Sequence, residues 1–441
     1  MALVQDLTPD SALDAALAAA RQRYVEQHPH SRALHEAACE HLPGGNTRTV
    51  LHFAPFPFRV LRGWDAWLED ADGHQVVDLL GEFTAGLLGH SDPHVRSAIE
   101  TTLAEGLSFG AHNKHEIELA SLVCARFPAI ERVRFTNSGT EANLMAVSAA
   151  RVFTGRSRLL VFEGAYHGGL LSFAHGASPV NAPYEIVLAP YNDVAGTRRL
   201  IEEQGDALAA VLVEPMIGAG GCIPGAPEFH AMLREATRAT GALLIYDEVM
   251  TSRLAPGGLQ ERLGIDPDLT SLGKYLGGGL SFGAFGGRAE IMALFDPSRT
   301  DALPHAGTFN NNVLSMAAGR AAIGEVFTPE AAERLNRTGD GLRDSLNRLF
   351  RDAQAPFQAT GVGSLMMIHP TRQPIVRPED TAAGDDRLKE LLFFELLEEG
   401  YYMARRGFIA LSLAVTDEQI EGFLAALGRI LERHVAILRQ G

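Results

Sequence analysis

The run from Gly241 to Gly279 constrains this chain more than any other, because it sets a carboxylate at the end of an apolar segment and, further on, a lysine among glycines. Ala242 to Tyr246 is short, continuously apolar and closed by Asp247 and Glu248, the pattern of a strand buried on both faces that delivers its acids to the carboxyl end. In open α/β sheets ligands bind at that edge. Lys274 follows Asp268 to Gly273, and Gly277, Gly278 and Gly279 come just after it, so backbone there can approach a ligand closely.

A lysine in an apolar, glycine-rich pocket loses its proton more easily and can form a Schiff base with an aldehyde. Pyridoxal phosphate is the aldehyde that suits it, and Asp247 is the candidate partner for the cofactor's pyridine nitrogen, since a protonated ring is the better electron sink. Taken singly, Asp247 and Glu248 read equally as carboxylates capping a loop and Lys274 as a solvated side chain. The other motifs decide between the readings.

Composition narrows the field. A chain of 441 residues exceeds the roughly 250–300 at which single cores stop growing, so two domains or more are expected. The formal charge is −16, and no lysine or arginine run is long enough to track a phosphate backbone, which argues against nucleic acid. That field repels anionic substrates, so a site for carboxylates needs arginines of its own. Cys39, Cys124 and Cys222 are far apart, outside any metal-ligand spacing, and read as free thiols of a reducing compartment. No metal site is expected. Met1 to Ala20 has three aspartates and no basic residue, and no apolar run nears the ~20 residues that span a bilayer, so a cytoplasmic protein without membrane contact is expected.

Residues 11–41 read as helical, with Pro29 interrupting them. Pro43-Gly44-Gly45 then exposes Arg48 in a loop, and segments around Phe56 to Val60 and Ala66 to Asp70 suggest a small antiparallel sheet. Gly81 to His90 mixes glycine with apolar residues, could wall a pocket, and precedes a helix start at Asp92-Pro93. Strands are expected at Val133 to Thr136, Arg158 to Phe162, Glu185 to Ala189, Ala209 to Val213 and Ala242 to Tyr246, with helices from Thr140 and over Pro227 to Thr240. Such alternation gives an α/β fold with a mostly parallel sheet. After about residue 330 come helices over Glu333 to Phe350, near Arg387 to Glu399 and after Asp417, with a strand at Gly363 to His369. The expected division is residues 1–80 as helical segment and small sheet belonging to the small domain, 81–330 as the large cofactor-binding domain, and 331–441 as the rest of a smaller α+β domain.

Phe135 to Asn143 is a strand turning through Ser138-Gly139-Thr140 into a helix, which aims backbone N–H groups and two hydroxyls at one point where a phosphate fits. The same letters also make an ordinary capping box. Tyr166-His167 among glycines is an aromatic pair suited to stacking on a flat ring. Val213-Glu214 ends another strand in a carboxylate, and Ala306 to Asn312 offers hydroxyl and amide groups. There is no P-loop, because Tyr275 follows Gly273-Lys274 where magnesium needs Ser or Thr. His112-Asn113-Lys114-His115 reads as a solvated helix start.

Ser138-Gly139-Thr140-Glu141-Ala142, Tyr166-His167-Gly168, Val213-Glu214-Pro215, Asp247-Glu248-Val249 and Leu272-Gly273-Lys274 together resemble, in order and over nearly the whole chain, the fold-type I, class III pyridoxal-phosphate aminotransferases. Asp247 to Arg253 and Gly273 to Gly279 look like the branch shared by glutamate-1-semialdehyde aminomutases and β-phenylalanine (aromatic β-amino acid) aminotransferases. Asn46-Thr47-Arg48, Pro55-Phe56-Pro57, Phe309-Asn310-Asn311-Asn312 and Arg405-Arg406-Gly407-Phe408 side with the second.

The resemblance implies that Lys274 forms the internal aldimine, Asp247 pairs with the pyridine nitrogen, and Ser138, Gly139 and Thr140 hold the phosphate. Tyr166 stacks on one ring face, Val249 packs on the other, and His167 and Glu214 complete the cofactor set. Thr308 reaches the phosphate in a neighbouring subunit, so a homodimer with shared sites is implied. Arg48 and Arg406 become the substrate-carboxylate candidates, guanidinium being the bidentate grip for carboxylate; Arg405 is the competitor for the second position. The implied reaction is ping-pong transamination of a β-amino acid with 2-oxoglutarate or pyruvate as acceptor. The alternative is the isomerase, glutamate-1-semialdehyde 2,1-aminomutase.

Overall fold

The structure, a computed structural model, describes residues 12–174 and 176–439. The Met1 to Ala20 segment, read above for the absence of a basic leader, lies outside them in its first eleven residues.

Seven strands build the sheet that carries the site: β1 (Arg132–Thr136), β2 (Arg158–Phe162), β3 (Ile186–Ala189), β4 (Leu208–Val213), β5 (Leu243–Asp247), β6 (Leu269–Gly273) and β7 (Gly283–Gly287). Their order is β1-β7-β6-β5-β4-β2-β3, all parallel except β7, which runs against both neighbours. Every residue of β4 and β5 is buried, as their unbroken apolar runs require of strands covered on both faces. Register does the positioning. Tyr246 lies opposite Val213 and Asp247 opposite Ser271, so Glu214, Asp247 and Lys274 leave the sheet from adjacent strand ends.

The helix Gly139–Thr154 leaves β1 and lays Ala142, Ala146, Val147, Ala149 and Ala150 on the sheet. Pro227–Thr240 has proline in its first turn and stops at Gly241, whose φ of 72° is the left-handed cap only glycine adopts freely.

The smaller mixed domain interleaves both ends of the chain. Strands Val60–Trp64, Trp67–Asp70 and Gln75–Asp78 form an antiparallel meander, and Tyr401–Tyr402 adds to its edge in parallel. Helix Ala12–Gln27 lies on helix Asp386–Glu398, fixed by Arg21–Glu390 at 2.6 Å and Arg23–Glu395 at 2.8 Å. A further sheet joins Gln358–Val362, Leu365–His369 and Phe408–Ala410.

Pro29 interrupts the N-terminal helical stretch as expected, beginning a second helix, Pro29–Cys39, after Ala12–Gln27. Two expectations change. The segment Phe56 to Val60 is not a strand before Val60, since Pro55 and Pro57 supply no N–H to a ladder. The sheet also contains β6 and β7, which the strand reading did not contain. β7 reads Gly-Ala-Phe-Gly-Gly, a poor strand by propensity, but neighbours occupy the space side chains would need. A Cβ on Gly286 would sit 2.5 Å from the Arg132 carbonyl oxygen, and one on Gly287 2.2 Å from that of Asp268.

Gly286→Val should therefore destabilise by about 1–3 kcal/mol, the cost of overpacking, although valine is the better strand former. Denaturant unfolding checks this; unchanged stability would show that packing does not dictate the glycine.

Candidate active site

Asp247 is 4% exposed and held on every side. Its Oδ2 accepts hydrogen bonds from His167 Nδ1 and Asn143 Nδ2, both at 2.8 Å, and its Oδ1 accepts the Val249 N–H at 3.0 Å. Three elements thus fix one carboxylate: the helix after β1, the loop after β2 and the turn after β5. Tyr166 and His167, paired in sequence, take different positions. Tyr166 is 45% exposed with its N–H bonded to Glu214, while His167 is buried against Asp247 and orients the acid instead of offering a stacking face.

Glu214 accepts the Tyr166 and Gly218 N–H groups at 2.9 and 3.1 Å. Burial, aided by the Asp247 charge and opposed by His167, pushes its carboxyl up to about 7. Glu248 turns away from the site. Its carboxylate accepts the Leu259 and Gln260 N–H groups and the Thr251 hydroxyl, which is the capping role considered for it.

Lys274 stands at φ 60°, a left-handed conformation rare outside glycine, and its Nζ donates to the Phe83 carbonyl at 3.0 Å. Burial first, then the positive fields of Arg48 and Arg406, lower its amine to about 8; Glu82 and Asp247 work against the shift. The Phe83 carbonyl is aimed by a loop in which Gly81, Glu82, Phe83 and Thr84 all have positive φ, with the Leu80 and Gly81 N–H groups tied to Asp78 Oδ1 at 2.8 and 3.0 Å. Such a run is held against its local preference by its surroundings.

Ser138 caps the helix Gly139–Thr154, accepting the Glu141 N–H at 3.2 Å, and Thr140 Oγ1 accepts the Gly169 N–H at 3.2 Å. A Cβ on Gly168, at φ 111°, would fall 2.2 Å from that oxygen, so this approach requires glycine. Val249 wedges against Gly139, where a Cβ would meet it at 2.9 Å. Thr308 is exposed on its loop.

The two arginines share one ring. Arg48 lies over Phe83 at 5.7 Å and pairs with Glu82. Arg406 lies over Phe83 at 5.4 Å and Phe408 at 5.6 Å, its buried Nε has no partner among the described residues, and burial lowers its pKa. Arg405 is engaged elsewhere, with Glu390 at 3.3 Å, so the structure separates the neighbours and leaves Arg406 beside Phe83, where its charge acts on Lys274. Sequence reasoning missed Asn143, Glu82 and Phe83. Asn143 had a signal, a lone amide on an alanine-rich helix face that must be buried.

An amine with a lowered pKa near a buried carboxylate, beside a helix N-terminus carrying two hydroxyls and a glycine approach, fits pyridoxal phosphate at both its aldehyde and phosphate ends. The aminotransferase class-III family model matches residues 52–431, and the chain belongs to that family, whose members use this cofactor. Beta-phenylalanine transaminase of Variovorax paradoxus is 52% identical over 97% of this chain and 98% of its own. The solved structure of a β-phenylalanine aminotransferase from that organism superposes with a TM-score of 0.95, covering 97% of this chain and 99% of that one. Glutamate-1-semialdehyde 2,1-aminomutase 2 of Brevibacillus brevis is 38% identical over 90% of this chain and 96% of its own.

The lysine's shift predicts a pH profile. Only the neutral amine attacks an aldehyde, so the rate at which cofactor-free protein takes up pyridoxal phosphate should rise with pH and level off above about 8. Stopped-flow absorbance reads it; a rate still climbing towards pH 10 would contradict the lowered amine.

Proposed function

We propose that this chain transaminates aromatic β-amino acids of the β-phenylalanine kind, with 2-oxoglutarate or pyruvate as acceptor. The observation that carries this reading is the pair of arginines set over the Phe83 ring, within a chain 52% identical to a β-phenylalanine transaminase. Identity to the aminomutase is lower.

When bound, pyridoxal phosphate supplies the sink for the electron pair left on the substrate's amine-bearing carbon. Lys274 holds the cofactor and, once released, carries a proton from that carbon. Asp247, fixed by His167 and Asn143, keeps the pyridine nitrogen protonated. Ser138, Gly139 and Thr140 hold the phosphate at the helix N-terminus, with Tyr166 and Val249 against the ring and Glu214 supporting Tyr166.

Arg406, partly buried and pre-placed, grips a substrate carboxylate. Arg48 is 44% exposed and already balanced by Glu82, so it can turn inward for the second carboxylate of 2-oxoglutarate and outward for an aryl group. Thr308, exposed beside Phe309, which is 60% exposed, serves the phosphate of a second subunit in a homodimer. Among the described residues no helix is long and apolar enough to cross a membrane.

The test is the cofactor's visible spectrum after adding β-phenylalanine without acceptor. Conversion to the amine form is expected; an unchanged spectrum, with turnover of glutamate-1-semialdehyde instead, would replace this reading by the aminomutase. Arg48→Ala should raise KM for 2-oxoglutarate about 10- to 100-fold, the loss of a charged hydrogen bond, and leave the β-phenylalanine half-reaction within a few-fold. Intact steady-state kinetics with 2-oxoglutarate would remove Arg48 from the account.

A further inference from the structure

Apart from the active site, two imidazoles and one carboxylate converge where the N-terminal helices meet the small sheet. His28 occupies the break between helices Ala12–Gln27 and Pro29–Cys39, Asp70 ends the strand Trp67–Asp70, and His74 lies in the turn before Gln75–Asp78. His28 Nε2 is 3.3 Å and His74 Nδ1 2.9 Å from the same oxygen, Asp70 Oδ2. The three atoms all lie within 4.8 Å of one another. His28 and Asp70 are each 5% exposed, whereas the His74 side chain is 41% exposed.

The hydrogen bonds fix which atoms carry protons. His28 Nδ1 is 2.7 Å from the Tyr24 carbonyl oxygen, which has none to give, so the nitrogen must be the donor. In a neutral ring that leaves a lone pair on Nε2, directed at a carboxylate oxygen. Two lone pairs facing each other at 3.3 Å need a cation, either a second proton on the ring or a metal ion.

The surroundings favour the ion. Asp70 Oδ1 is occupied by the Asp72 and His74 N–H groups at 2.9 and 2.8 Å, which turns Oδ2 towards both imidazoles. Tyr24 stacks on His28 at 4.1 Å and locks the ring. The neighbouring Asp72 carboxylate is spent on the His30 and Ser31 N–H groups. Ligand atoms on a tetrahedral zinc ion with bonds of about 2.0–2.1 Å lie roughly 3.3 Å apart, against 3.3 and 2.9 Å from Asp70 Oδ2 to the two imidazole nitrogens and at most 4.8 Å between any two of the three atoms. A ring fixed through its far nitrogen to a carbonyl and a carboxylate fixed through its other oxygen form the outer shell such sites use.

We propose that His28 Nε2, Asp70 Oδ2 and His74 Nδ1 bind one divalent first-row transition ion of zinc type, completed by water on the exposed His74 side. The ion joins the helix break to the hairpin. From that hairpin, strand Gln75–Asp78 leads to Asp78, which holds the loop bearing Phe83. The site is structural, and pyridoxal phosphate is not needed to form it.

The test uses the full chain with cofactor bound, cleared of metal by a chelator and dialysis, then titrated with zinc chloride by isothermal calorimetry, with bound zinc counted by elemental analysis. The wild type should take up one tight equivalent and melt at a higher temperature. His74→Gln, a change at a partly exposed turn, should lose that equivalent and the melting shift, weakening binding by more than the roughly 10- to 100-fold typical of losing an outer-shell partner. Asp70→Asn should do the same. If the wild type binds no tight equivalent, the cluster is an imidazolium–carboxylate pair and the proposal fails. It fails equally if folded His74→Gln keeps the stoichiometry and affinity, since the zinc then sits elsewhere.

Discussion

The carboxylate of Asp247 is the group on which the rest of the site depends. A buried anion is tolerated only when its oxygens are satisfied, and here three donors from three separate elements meet it: His167, Asn143 and the Val249 N–H. Those contacts hold the helix after β1 and the loop after β2 at the carboxyl end of β5. The same helix offers Ser138 and Thr140 at its N-terminus, so satisfying one acid also places the hydroxyl cradle. The sheet register then brings Lys274 to the neighbouring strand end.

Charge is managed locally against a chain of net −16. Burial and the charges of Arg48 and Arg406, both set over Phe83, make Lys274 a weaker base. One arginine is balanced by Glu82 and half-exposed, the other is partly buried, its Nε without a partner among the described residues. That difference is what a pocket serving an apolar donor and a polar acceptor in turn requires.

Much of this was legible in the residues. β2 was read to its last residue, β4 and β5 to within one, and Pro227–Thr240 to both ends, because unbroken apolar runs and Pro/Gly punctuation are local signals. β6 and β7 were not, since Leu-Thr-Ser-Leu-Gly and Gly-Ala-Phe-Gly-Gly carry weak propensity and are made strands by the backbone packed against them. The separation of Arg405 from Arg406 also needed the fold, because Glu390 lies on the helix Asp386–Glu398 and the arginines in a turn beyond it. Asn143 and Glu82 belong to contacts more than thirty residues long, 104 in the case of Asn143 with Asp247 and 34 for Glu82 with Arg48, which no window along the chain displays.

If the clamped carboxylate is what makes this site work, Asp247→Asn is the decisive change, since it keeps the shape and removes the charge. The measurement is single-turnover transamination by the purified variant, with its visible cofactor band as the check on binding. The account predicts a variant that still binds pyridoxal phosphate at Lys274 but turns over roughly 100-fold or more slowly, the scale of losing one pre-placed electrostatic group. A variant that binds the cofactor and keeps its rate within a few-fold would contradict it.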